Sequence, residues 1–129
     1  MSLTKEQKSK QAKNNRAKGH SLERRIRLKF IELGFDKCRT SRQASRLLDD
    51  SKVDLAQIPY NVQCKKGYPK GINYTKLFQD MNESLKEHFM EGDPIIDYPK
   101  IIIHDKDRKK SEKLVIMQEE DFWKIFKHK

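Results

Sequence analysis

Apolar positions along the chain fall into short runs with two different periods, and those periods predict the elements. Leu22, Ile26, Phe30 and Leu33 recur at helical spacing. Ser21 stands ahead of them as an N-cap, and Gly34 follows as the glycine that closes the helix. Upstream, residues 1–18 are rich in Lys, Gln and Asn and carry no apolar stripe, so they read as a basic flexible arm or a frayed helix that orders on binding. Residues 19–129 read as one domain. Phe35 to Ser41 reads as a first strand and residues 42–51 as a polar loop. Residues 52–58 alternate as a second strand, Pro59-Tyr60-Asn61 makes a tight turn, and Asn61 to Lys66 returns as a third strand. After a loop marked by Gly67, Pro69 and Gly71, the stripe Leu77, Met81, Leu85, Phe89 predicts a helix over residues 74–90. Lys100 to His104 is too short a run for a helix and reads as a buried strand, as does Leu114 to Met117. Glu119, Glu120 and Asp121 open a last helix that Lys124, Lys127 and Lys129 close, the order that the helix dipole favours. The order α-β-β-β-α-β-β-α predicts an α+β fold, a mixed sheet with helices packed on it.

Charge adds a partner to this picture. The chain has 129 residues and a formal net charge of +10. A basic excess of that size suits a polyanion, because Lys and Arg release counterions from phosphates. Between Lys5 and Lys29 only Glu6 and Glu23 oppose the run of cations, and basic residues continue inside the folded part at Arg39, Arg42, Arg46, Lys65, Lys66 and Lys70. A solvated, solubilising tail would explain residues 1–18 alone; the continuation favours nucleic acid. No apolar run is long enough to cross a membrane, and the N-terminus has no apolar signal segment, so the cytoplasm is the expected compartment. Cys38 and Cys64 form no CxxC pair and are expected to be reduced, buried small hydrophobes.

The candidate chemistry sits on the two strands around Pro59. Gln63 and Lys65 share one strand face, while Val62 and Cys64 share the other. With the turn centred on Pro59-Tyr60, position 54 pairs with 65 and 56 with 63, which crowds Asp54, Gln63 and Lys65 together and sends Val53, Leu55, Val62 and Cys64 to the core. A bulge at Asn61 would change that pairing. A hard cation such as Mg²⁺ takes oxygen ligands, and Asp54, the Gln63 amide oxygen and the Cys64 backbone carbonyl offer three. Lys65 can sit against an attacking water or a phosphate. The bland alternative is a cross-strand ion pair between Asp54 and Lys65 on a solvated face. Asp49 and Asp50 are further acids near Asp54, solvated in their loop unless drawn into the site. Tyr68, Tyr74 and Phe78 can stack on bases but suit ordinary packing better, and His20, His88, His104 and His128 form no zinc spacing.

Asp54 followed by Gln63-Cys64-Lys65 resembles the core of the PD-(D/E)XK nuclease superfamily, and more closely the archaeal-type Holliday-junction resolvases and similar small phage endonucleases. Glu23-Arg24 matches the Glu-Arg pair of their first helix, Gly34-Phe35 the entry to the first strand, Arg39 and Ser41 an Arg and a Ser on or after that strand, and Lys65 the lysine of the third. The resemblance covers roughly residues 18–66. It implies a restriction-endonuclease-like αβββαβ core and a Mg²⁺-dependent endonuclease, with Mn²⁺ able to substitute, cutting DNA and acting on branched DNA as a homodimer. It implies metal roles for Glu23, Asp54, Gln63 and the Cys64 carbonyl, with Lys65 beside the water. By the resemblance Arg24 and Arg39 contact phosphate or steady the acidic site, with Ser41 matched beside them, while Arg42, Arg46, Lys66 and Lys70 are expected phosphate contacts from their charge inside the folded part. The resemblance also admits a phage or mobile-element source. Gln63 departs from the family, which usually has Glu there; an amide oxygen binds a metal but adds no charge. Two alternatives follow, a non-catalytic nucleic-acid-binding module on the same fold and an RNA-directed nuclease.

Overall fold

In the computed structural model, residues 4–67, 71–106 and 112–127 are described, apart from the side chains at 11, 12, 14 and 15. The first helix, α1 (Lys5–Glu32), starts at Thr4 and not at Ser21. The Thr4 hydroxyl accepts from the Gln7 N–H and the Gln7 side chain accepts from the Thr4 N–H, a reciprocal cap that fixes the start. Residues 5–18, expected to be flexible or frayed, therefore belong to one helix with the amphipathic segment after them. Nothing between Thr4 and Leu33 forces a break, because Gly19 is tolerated in a helix at a cost of about 1 kcal/mol. At the other end Gly34 takes φ +105°, the left-handed geometry expected of it.

The strand β1 (Arg39–Thr40) is shorter than expected, and the predicted loop after it folds into two short helices, α2 (Ser41–Ala44) and α3 (Arg46–Asp50). Ser45 caps α3 by accepting from the Leu48 N–H, which is how a polar stretch with little apolar content still becomes helical. The strand β2 (Leu55–Ala56) is also brief, since the chain takes positive φ at Lys52 and Gln57 on either side of it. It pairs antiparallel with β1, Arg39 opposite Ala56 and Thr40 opposite Leu55. The next strand, β3 (Asn61–Lys66), matches its predicted bounds. After it come α4 (Tyr74–His88), a 3-10 turn at Pro94–Asp97, β4 (Lys100–Asp105), β5 (Lys113–Ile116) and α5 (Glu119–Phe126). The fold is α+β, with a mixed sheet in the order β3-β4-β5 whose first pair is parallel and second antiparallel.

Two cores flank this framework. Leu22 and Ile26 of α1 pack with Cys38, Leu55, Ile58, Val62 and Ile101. On the other side Met81 and Leu85 of α4 pack with Leu48, Val53 and Ala56. Val53 and Leu55, expected to share one face, thus enter different cores. The kinked backbone between Lys52 and Gln57 breaks the regular alternation that the expectation assumed. Strand alternation sorts the remaining side chains: Val62, Cys64 and Ile101 face α1, while Asn61, Gln63, Lys65, Ile102 and His104 share the opposite face.

Candidate functional site

The site is assembled where α1, the kinked segment at 53–56 and β3 meet. Asp54 is not opposite Lys65, as the hairpin register predicted, but opposite Gln63. Its N–H donates to the Val62 carbonyl at 2.7 Å, and its carboxylate oxygen Oδ2 accepts from the Cys64 N–H at 2.7 Å. The side chain replaces a main-chain acceptor, so β2 and β3 do not form a regular ladder. On the other flank, the Ser41 N–H donates to the Asp54 carbonyl at 2.8 Å, so Asp54 is gripped by both neighbouring segments. The result is a carboxylate held in place from its own backbone outward.

Electrostatics mark the same residue. The Asp54 carboxyl is raised from 3.8 to about 7. Burial is the main cause, and the nearby Glu23 and Asp49 carboxylates push the same way, while the Cys64 N–H and the Lys65 ammonium oppose it. Glu23 is 9% exposed and projects from α1 toward this point. Its Oε2 accepts from Arg42 Nε at 3.2 Å. The structure therefore brings Glu23, Asp54 and Lys65 into one electrostatic neighbourhood, with Gln63 on the strand position that Asp54 brackets. Gln63 is 6% exposed, and its Oε1 has no hydrogen-bond partner among the described residues. A buried amide oxygen without a partner costs on the order of 1–3 kcal/mol, so this one is available to a donor or a cation.

Along a strand, a residue's N–H and C=O point to the same edge. Since the Cys64 N–H points to Asp54, its carbonyl points to that edge too. Two carboxylates, one orphaned amide oxygen and one backbone carbonyl are the oxygen donors that a hard cation such as Mg²⁺ prefers, and the residues fit it on that ground. The charge they offer is modest. No three His, Cys, Asp or Glu side chains converge as a metal set among the described residues, and Arg42 already offsets Glu23. Of the two other acids considered, Asp49 is exposed yet close enough to act on Asp54, while Asp50 pairs with Arg46 at 3.8 Å.

The residues expected to touch phosphate divide into surface and interior. Arg24 and Arg39 are exposed and Arg46 fully so. Ser41 is fully buried, with its hydroxyl unpartnered among the described residues, so it belongs to the floor beneath Asp54 and not to an outer contact surface. Arg42 holds Glu23, a role hidden in the sequence because nothing in a polar loop signals which acid it meets across the fold. Lys66 bonds Asp105 at 3.1 Å on the α1 face. Lys70, Tyr68 and His128 lie outside the described residues. Phe78 is buried packing, as expected. His104 is fully buried beside Lys65 in the parallel register, with Nε2 bonded to the Gly67 carbonyl and Nδ1 to the Tyr74 hydroxyl, each at 2.7 Å. Because a carbonyl only accepts, Nε2 carries the proton there. Both cysteines are free; Cys38 is buried as expected and Cys64 only half-buried, and burial raises both thiols, which disfavours the thiolate.

No helix among the described residues is long and apolar enough to cross a membrane. Comparison of the chain with protein-family models, with curated proteins and with solved structures finds no match.

Proposed function

We propose that the chain is a divalent-metal-dependent endonuclease that hydrolyses phosphodiester bonds in DNA, with branched DNA as its preferred form and a two-fold homodimer as its working unit. The observation that carries this reading is the Asp54 carboxylate, fixed by the Cys64 N–H and raised to about 7, set against the unpartnered Gln63 oxygen. The order Glu23, Asp54, Gln63-Cys64-Lys65 and its resemblance to PD-(D/E)XK nucleases support it, as does the net charge of +10.

Glu23, Asp54, Gln63 and the Cys64 carbonyl would hold the cation, which when bound supplies positive charge at the phosphate and makes an attacking water more acidic. The remaining work falls to the chain. Asp54 and Glu23 place negative charge where a cation is needed and repel a bare phosphate without one. Lys65, on the Gln63 face, sets its ammonium where negative charge grows as the phosphate is attacked. Arg42 keeps the Glu23 carboxylate oriented before substrate arrives. Arg24 and Arg39 are exposed cations that anchor the flanking backbone.

A second reading, a binding module without catalysis, draws on Gln63 in place of a carboxylate and on the Arg42–Glu23 pair, both of which lower the charge available to a metal. A labelled four-way junction and a matched linear duplex, each incubated with Mg²⁺, Mn²⁺ or EDTA beside a Lys65→Ala control, separate the two. Metal-dependent cutting that disappears in the variant supports the enzyme. Tight binding with no cutting in any metal leaves the binding module.

A further inference from the structure

The face of α1 that delivers Glu23 to the site continues outward as a line of cations. At about 100° per residue, Arg16 lies about 20° from Glu23 around the helix, Lys5 lies directly in line with it, and Lys13 and Lys8 fall within about 80° on either side. Along the axis, Arg16 is about 10 Å and Lys5 about 27 Å from Glu23. All four cations are exposed, and Glu6 is the sole acid between Lys5 and Ser21. The helix there has no apolar stripe, which disfavours a lipid surface or a groove on a partner protein.

Gly19 gives a second, independent sign. It lies on the same face, one turn before Glu23, inside a helix where glycine costs about 1 kcal/mol against alanine. Nothing in the fold calls for it: a Cβ placed there meets nothing within 4 Å. Its φ is not among the positive ones. The missing side chain at Gly19 leaves room for a sugar-phosphate chain to pass close to the helix between Arg16 and Glu23.

We infer that the Lys5–Arg16–Gly19 face of α1 is a track for duplex DNA flanking the scissile phosphate, reaching about 27 Å, or about 8 base pairs, away from the cut. This rests on the nuclease reading for the position of the cut, but not for the binding of duplex. The α1 cations contact phosphates along that arm, and the Gly19 gap lets the backbone pass close to α1 before it meets Glu23. The enzyme accordingly needs a double-stranded flank of that length on one side of its site, which makes the length of the arm a determinant of substrate choice.

The test uses the full-length protein in EDTA, so that binding is read without cutting. The substrates are labelled junctions whose arms differ only in length, from 4 to about 16 base pairs. The variant Lys5→Gln/Lys13→Gln/Arg16→Gln keeps helix propensity and removes three charges. Without those three phosphate-neutralising cations, the slope of log affinity against log salt should flatten by about 2.7, so that between 50 and 200 mM salt the affinity of the wild type falls about 40-fold further than that of the variant. Wild-type affinity should rise with arm length up to about 8 base pairs and then level, and the variant should show no such dependence. Gly19→Leu, which should stabilise the helix, should weaken binding to long arms and spare short ones. Equal salt slopes and equal arm-length dependence in wild type and variant would overturn the track. A competing RNA duplex that displaces the junction equally well would overturn its assignment to DNA. Binding that follows these expectations without cutting in Mg²⁺ would sink the nuclease reading and leave the track standing.

Discussion

Replacing Asp54 by Asn should stabilise the metal-free protein, the reverse of what removing a buried, hydrogen-bonded group usually does. The Asn Oδ1 still accepts the Cys64 N–H, so the anchor survives, while the charge that burial and Glu23 disfavour is gone. The carboxyl holds its proton more tightly in the folded chain, at about 7, than in the unfolded one, near 3.8. Folding therefore takes up a proton between those values. Stability from this group is fully present below 3.8, falls as pH rises toward 7, and above 7 the whole cost of the buried charge is in place. A rise from 3.8 to about 7 sets a ceiling of about 4 kcal/mol. Partial solvent access at Asp54 lowers the expected gain for Asp54→Asn to about 1–3 kcal/mol at pH 8. Urea denaturation from pH 4 to pH 8.5, with EDTA, would show the variant and wild type converging at the acid end and separating toward the alkaline end. Adding Mg²⁺ at ten times its dissociation constant should return about 1.4 kcal/mol to the wild type and nothing to the variant. A variant less stable than wild type at pH 8, or a difference that ignores pH, would refute the reasoning.

Other consequences follow from the same geometry. Lys65→Ala should lower the cutting rate by about 100-fold or more while leaving junction affinity in EDTA within a few-fold, measured by single-turnover cleavage and gel shift. Gln63→Glu supplies the missing carboxylate; it should tighten Mg²⁺ binding in calorimetry and lower metal-free stability at pH 8, because a third acid, at a buried position, joins Asp54 and Glu23. Arg42→Gln frees Glu23 and should also tighten Mg²⁺ binding, read in the same titration. His104→Phe strands the Tyr74 hydroxyl and the Gly67 carbonyl and should cost about 2–4 kcal/mol in thermal or urea unfolding.

Some of this organisation is legible in the chain and some is not. Periodicity places β3, α4, β4 and β5 to within a few residues, because each has an apolar pattern that packing dictates, and the order of charges places α5. It fails where side chains or backbone kinks decide. The cap at Thr4 rests on a hydroxyl and an amide, which carry no hydrophobic signal, so periodicity begins α1 at Ser21. The register of Asp54 depends on its carboxylate taking a main-chain partner and on positive φ at Lys52 and Gln57, which strand alternation cannot anticipate. Strand alternation singles out Asp54, Gln63 and Lys65 and the resemblance adds Glu23, yet the regular hairpin that would pair 54 with 65 does not form. Glu23 still reaches Asp54 because α1 packs on β3 through Leu22, Ile26 and Val62, and Lys65 acts on Asp54 from the other face of β3. Arg42 reads as a phosphate contact from the sequence because its partner, Glu23, comes from an element far away along the chain.

The most direct test of the central claim is a supercoiled plasmid with an extruded cruciform, incubated with the purified protein in Mg²⁺ and in EDTA, beside Asp54→Asn. Nicked and linear products are expected in Mg²⁺ with wild type, and neither in EDTA nor with the variant. Intact supercoiled plasmid in Mg²⁺ and in Mn²⁺, at protein concentrations that visibly bind it, would contradict a metal-dependent nuclease.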